Sequence, residues 1–271
     1  MSRESRRNYV TSAEVERLRE YLGGRDLAIL HQVSDLRLMS AAQIAAVHFT
    51  LNGHENPTAA SRATQRVLAR LVRDDLLVRL DRRVGGIRAG SAGYIYALGP
   101  VGQRLLNPSD GRRRNHEPRI GFLDHTLAVS QLVVDVTRAS RAGRFEVLTL
   151  QSEPRCHRAF TGTSGQVTLK PDLFLALGVG DMEHRWFIEV DQGSESLPVV
   201  IGKCRAYDAY YQSGREQAAH GVFPRVCWVV PDESRADRIV SKISQSQRLL
   251  NQMFEVTTSS DALDTLAGGS A

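Results

Sequence analysis

Residues 58–74 read TAASRATQRVLARLVRD. The spacing predicts a helix over these residues, with Thr58 as a plausible cap. Arg62, Arg66, Arg70 and Arg73 follow one another at intervals of 4, 4 and 3. At about 100° per residue they fall within an arc of about 80°, while Ala63, Val67, Leu68 and Leu71 fall on another. One side of such a helix packs and the other presents guanidinium groups to a polyanion. A merely solvated basic face has the same pattern, so the flanking sequence has to decide.

Upstream, residues 25–39 (RDLAILHQVSDLRLM) carry Leu27, Ile29, Leu30, Val33 and Leu36 at helical spacing. Ser40 and Gln43 make a capping box that opens a short helix with Ile44, Ala45 and Val47. Asn52, Gly53, Asn56 and Pro57 mark a loop. Downstream, residues 76–80 and 93–98 read as strands, joined by DRRVGGIRAGSA, a glycine-rich tip with Arg82, Arg83 and Arg88. Helix, helix, helix, strand, basic tip, strand is the order of a winged helix-turn-helix, here residues 25–106, after an N-terminal helical extension over 1–24. Double-stranded DNA is then the expected partner. Arg62, Arg66, Arg70 and Arg73 would lie in the major groove, with Arg82, Arg83 and Arg88 on the wing. A helix from Pro100, with Val101, Leu105 and Leu106, packs back on this domain or forms a homodimer contact. Residues 107–120, with the run Arg112–Arg114, read as a basic linker.

Charge divides the chain in the same way. Residues 1–120 hold 20 Lys+Arg against 12 Asp+Glu, and residues 121–271 hold 15 against 18, which together give the net +5. A basic front half suits a polyanion, and a mildly acidic back half suits a different task. No run of about 18 apolar residues suggests a membrane span, and the charged start lacks a secretory apolar region. The three cysteines, Cys156, Cys204 and Cys227, form no C-x-x-C pair and read as reduced, buried thiols. A cytoplasmic protein is expected.

The back half, residues 121–260, reads as an α/β domain. Residues 121–142 form an apolar-periodic helix ended by Gly143. Strands are expected at 145–150, 167–177, 185–191 and 226–230, helices at 197–212 and 233–250, and an edge strand at 254–257. The α-β-β-β-α-β order is that of a restriction-endonuclease-like core, so the whole chain is expected to be α+β in front and α/β behind. Residues 261–271 read as a disordered tail. Asp172 opens the second strand; Glu189 and Asp191 end the third and share a face by period-2 spacing. Carboxylates on adjacent strands can share Mg²⁺, a hard ion that prefers oxygen ligands, so Asp172, Glu189 and Asp191 are the candidate metal ligands. His125, on the first helix, either faces this site or is a satisfied core histidine. Glu153 is a weaker candidate, and Cys156-His157 makes a poor metal site without a second pair.

This segment resembles the PD-(D/E)xK nuclease superfamily, with one departure. There a lysine normally follows the second acid by two positions; here Asp191 stands in that place. Lys203 on the following helix, with Tyr207 one turn later, could carry the missing charge. Taken together, LAILHQVSDLRLMSAAQIAAVHF, RVLARLVRDDLLVRL, GYIYALGPVGQRLL, HTLAVSQLVVDV, LKPDLFLAL, FIEVDQGSESLPVVIGKCRAYDAYY and FPRVCWVVPD resemble the replication-relaxation family of plasmids and integrative elements. The resemblance implies a winged helix followed by a nuclease-like domain, and a part in replication, mobilisation or regulation of mobile DNA. It also marks His125, Asp172, Glu189, Asp191 and Lys203 as candidate site residues. A Mg²⁺-dependent endonuclease or nickase is the alternative expectation.

Overall fold

A computed structural model of the chain describes residues 11–49, 57–80, 93–107, 120–162, 165–246 and 249–269. Arg82, Arg83, Arg88 and the Arg112–Arg114 run lie outside the described residues. The chain divides into two compact units, 1–119 and 120–271.

The first unit runs α1 (Ser12–Tyr21), α2 (Gly24–Leu36), β1 (Leu38–Ser40), α3 (Ala41–His48), α4 (Pro57–Arg73), β2 (Leu77–Leu80), β3 (Ile95–Leu98) and α5 (Pro100–Leu106). Ile29, Leu30 and Val33 of α2, Ile44 of α3, and Leu68 and Leu71 of α4 are almost fully buried and form its centre. The Ser40–Gln43 capping box is present: the Gln43 N–H donates to Ser40 Oγ at 3.2 Å, and the Ser40 N–H to Gln43 Oε1 at 2.9 Å. The helix expected over 25–39 stops earlier. Arg37 takes φ 66°, which ends α2, and Leu38–Ser40 leave as β1 to pair antiparallel with β3. Leu38 and Met39 are both buried, so neither a helical nor an alternating apolar pattern announces this strand. The sheet order is β1-β3-β2.

Two close approaches lock α5 against the start of β2. The Gly99 N–H donates to the Leu76 carbonyl at 2.8 Å, and a Cβ on Gly102 would sit 2.3 Å from that same oxygen. The extension is not detached: Val15 and Leu22 are buried, and Arg19 donates to the Leu105 carbonyl at 2.7 Å.

The second unit opens with α6 (Ile120–Arg141). Then come β4 (Glu146–Ser152), a hairpin of β5 (Arg158–Gly162) and β6 (Gly165–Leu169), β7 (Leu173–Val179), β8 (Met182–Val190), α7 (Leu197–Gln212), α8 (Arg215–His220), β9 (Arg225–Val230), α9 (Glu233–Ser244), β10 (Phe254–Thr258) and α10 (Ala262–Leu266). The main sheet has the order β10-β9-β8-β7-β4. β4, β7 and β8 pair antiparallel; β8, β9 and β10 pair parallel. Period-2 alternation divides β8: Phe187 lies on the face covered by α7 and α9, where Val200, Cys204, Tyr207, Trp228 and Ile239 pack with it.

Three sequence expectations change here. Residues 167–177 are not one strand. Gly165–Leu169 belongs to the β5–β6 hairpin, and the main-sheet strand starts only at Leu173; Pro171, which has no N–H to donate, stands at the break. The helix expected to reach residue 250 ends at Ser244. The expected disordered tail carries α10 instead, with Ala262 and Leu266 buried; the Trp186 indole donates to the Leu266 carbonyl at 3.0 Å. Among the described residues no helix is long and apolar enough to cross a membrane.

Candidate functional site

The four arginines of α4 separate into two kinds. Arg62 and Arg66 are exposed, and among the described residues neither meets a carboxylate. Arg70 is turned inward: its guanidinium donates to Asp26 Oδ1 at 2.6 Å. Asp26 is buried, and its other oxygen accepts from the Gly23 N–H at 3.1 Å, so it both caps α2 and anchors α4. Arg73, though exposed, is drawn to its neighbour Asp74 at 3.0 Å. The expected row of four is therefore three exposed guanidiniums, of which Arg73 is paired with its neighbour, and one turned inward, with Thr58, Ser61, Gln65 and Ala69 exposed around them. Asp26 was missed as a partner because 44 residues separate it from Arg70. A local cue existed, an acid in the first turn of α2, but it fits a cap equally well.

In the second unit, sheet register brings Asp172 to Glu189. The Asp172 N–H donates to the Ile188 carbonyl at 3.0 Å, and the Val190 N–H donates to Asp172 Oδ2 at 2.7 Å. The carboxylate of the β7 start is thereby pinned across β8. His125 Nε2 of α6 meets the other oxygen, Oδ1, at 2.9 Å. This bond, with the Asp172 charge, raises the His125 pKa against the opposing effect of burial.

Glu189 is buried and has a partner on each oxygen. The Lys203 ammonium donates to Oε2 at 2.9 Å and the Tyr207 hydroxyl to Oε1 at 2.6 Å. Lys203 and Tyr207 lie four residues apart on α7 and so share a face. Lys203 also donates to Glu195 Oε1 at 2.8 Å. Burial, and then the Asp172 charge, push the Glu189 carboxyl up to about 7 despite Lys203 and Tyr207. For Lys203, burial alone would favour the neutral amine, but Glu189 and Glu195 outweigh it and keep the ammonium.

Asp191 does not join this group. It lies past the end of β8, where Arg235 of α9 donates to Oδ2 at 2.6 Å and the Gly193 N–H to Oδ1 at 2.9 Å. Both Asp191 and Arg235 are buried. The expectation of three carboxylates around one ion is corrected accordingly: among the described residues no three His, Cys, Asp or Glu side chains are placed to hold one. In the remaining pair every carboxylate oxygen already has a partner, the Val190 N–H and His125 on Asp172, Lys203 and Tyr207 on Glu189; a hard cation of the Mg²⁺ kind, which takes one or two carboxylates beside waters and a phosphate, would have to share those oxygens. Glu153 pairs with His157 at 3.1 Å. The Cys156 thiol donates to the Pro171 carbonyl, and burial pushes it up to about 12, leaving it an inert core group. Glu195 and Arg235 had no sequence signal, one in a polar loop and the other on an ordinary amphipathic helix.

The Glu189 shift has a measurable sign. Its folded value exceeds its unfolded one, so its contribution to stability is complete below about 4.5 and is lost as pH rises through about 7. His125, also raised, contributes below its unfolded value near 6.5 and loses that contribution above its folded one. We expect Glu189→Gln to gain stability relative to the wild type as pH climbs through this window, by at most about 1.4 kcal/mol per pH unit. Urea denaturation of both proteins across pH 5–8 measures it; parallel profiles would contradict the assignment.

A family model described as Replication-relaxation matches residues 30–226. No curated protein and no solved structure matches the chain.

Proposed function

The chain belongs to the replication-relaxation family, and from that premise we propose that it is a DNA-binding protein acting in replication, mobilisation or regulation of a plasmid or other mobile element. The observation that carries this reading is α4: its inner side is anchored by Leu68, Leu71 and the Arg70–Asp26 bond, and its outer side offers Arg62 and Arg66. The order α2-β1-α3-α4-β2-β3 with a β1-β3-β2 sheet supports a winged helix-turn-helix, in which α4 is the helix that enters the major groove. The testing experiment is titration of labelled duplex DNA with the full chain at rising salt. Binding should weaken steeply, because each neutralised phosphate releases counterions; absence of binding even at low salt would reject the reading.

A second reading is favoured by one distance, the 2.9 Å between Lys203 Nζ and Glu189 Oε2. It brings the displaced lysine to the second acid, as the endonuclease alternative requires. The β4-β7-β8-β9 arrangement, antiparallel and then parallel, supports a restriction-endonuclease-like core. Asp172 and Glu189 would hold a Mg²⁺ ion, which supplies Lewis-acid activation of water when bound. Lys203 would place a positive charge beside the scissile phosphate, and His125 would orient Asp172. The expected result is nicking of supercoiled plasmid with Mg²⁺ or Mn²⁺ that EDTA stops and that Asp172→Asn and Glu189→Gln each abolish. Nicking that survives in both variants would exclude this site as its source.

A further inference from the structure

With Arg70 committed to Asp26, the outward side of α4 consists of Thr58, Ser61, Arg62, Gln65, Arg66, Ala69 and, at its end, Arg73, which is paired with Asp74. Gln65 is the one amide among them. It is exposed, and among the described residues nothing bonds to it. At about 100° per residue it lies about 60° from Arg62, about 40° from Ala69 and about 40° from Ser61, within the exposed arc. The rise from Arg62 to Arg66 is about 6 Å, or roughly two base-pair steps.

We infer that Gln65 is a specificity-determining residue that reads an A·T base pair, while Arg62 and Arg66 contact guanine or phosphate on either side of it. This rests on the DNA-binding reading above. The chemistry follows from the donor and acceptor inventory. A guanidinium only donates, so the arginines match the two acceptors of guanine or any phosphate oxygen. The amide of Gln65 donates and accepts in one plane, which matches the N6 donor and N7 acceptor of adenine. Ala69, one turn further on, projects no more than a methyl group and lets the helix approach the bases there. Gln65 carries no charge, so it contributes to sequence choice and not to counterion release. Arg70, turned inward to Asp26, reads no base.

The test is selection of the full chain against a pool of randomised duplexes at fixed salt, with wild type, Gln65→Ala and Gln65→Glu in parallel. The wild type should enrich a motif with one required A·T pair and a G·C pair within two steps. Gln65→Ala should lose the preference at the A·T position only. It should bind the wild-type site roughly tenfold more weakly, with an unchanged dependence of affinity on salt. Gln65→Glu should shift that position toward C·G, because a carboxylate accepts from the cytosine amino group. An exposed helix position should leave the melting temperature of all three proteins alike. The inference is overturned if Gln65→Ala keeps the wild-type preference at every position, or if the wild type binds duplex while enriching no motif. If the wild type retains no duplex at low salt, the DNA-binding reading itself has failed, which is a different result on the same assay.

Discussion

Replacing Asp191 by alanine is expected to lower the stability of the second unit by about 3–5 kcal/mol, the cost of leaving one partner of a buried ion pair alone. Arg235 would then keep a guanidinium in an almost waterless place with, among the described residues, only the Glu195 carbonyl, 2.6 Å away, to accept from it. The Gly193 N–H would lose its acceptor as well. Both tryptophans of the chain, Trp186 and Trp228, lie in β8 and β9, so their fluorescence during urea denaturation reports on this unit. The double variant Asp191→Leu with Arg235→Met should recover much of the loss, since it removes both charges and fills the space. A loss under about 1 kcal/mol for Asp191→Ala would mean that water reaches the pair and that its value is that of a surface contact.

The double variant Arg62→Ala, Arg66→Ala should weaken duplex binding by on the order of 100-fold near physiological salt, and should reduce the slope of log affinity against log salt by about 1.8 if each arginine neutralises one phosphate. Arg70→Ala is the internal control. It breaks the Asp26 bond, so it should cost stability of the first unit and leave the slope nearly unchanged. Fluorescence anisotropy on one duplex at several salt concentrations, with circular dichroism melting beside it, distinguishes the two effects. Equal slopes together with equal affinities for the double variant and the wild type would remove α4 from the interface.

Periodicity made α2, α3, α4, α6 and α7 legible from sequence, and the Ser40–Gln43 box marked the start of α3. Local rules were also enough for Asp172 and Glu189 to be named, because strand ends place them, whereas Lys203 was named only through the nuclease resemblance. What escaped was pairing over long separations. Arg70 looked like its three neighbours on the helix, and only the fold shows that Asp26 claims it. Asp191 followed the same alternation as Glu189, yet the strand ends at Val190 and Arg235 takes the next carboxylate. β1 escaped because three residues are too few for a period to show, and β6 merged with β7 because the residues on both sides of Pro171 are β-prone.

Ser40 closes β1 and also caps α3, and the Ala41 N–H donates to the Tyr94 carbonyl at the root of β3. The turn from β1 into α3 is thereby riveted to the base of β3 at a single backbone bond.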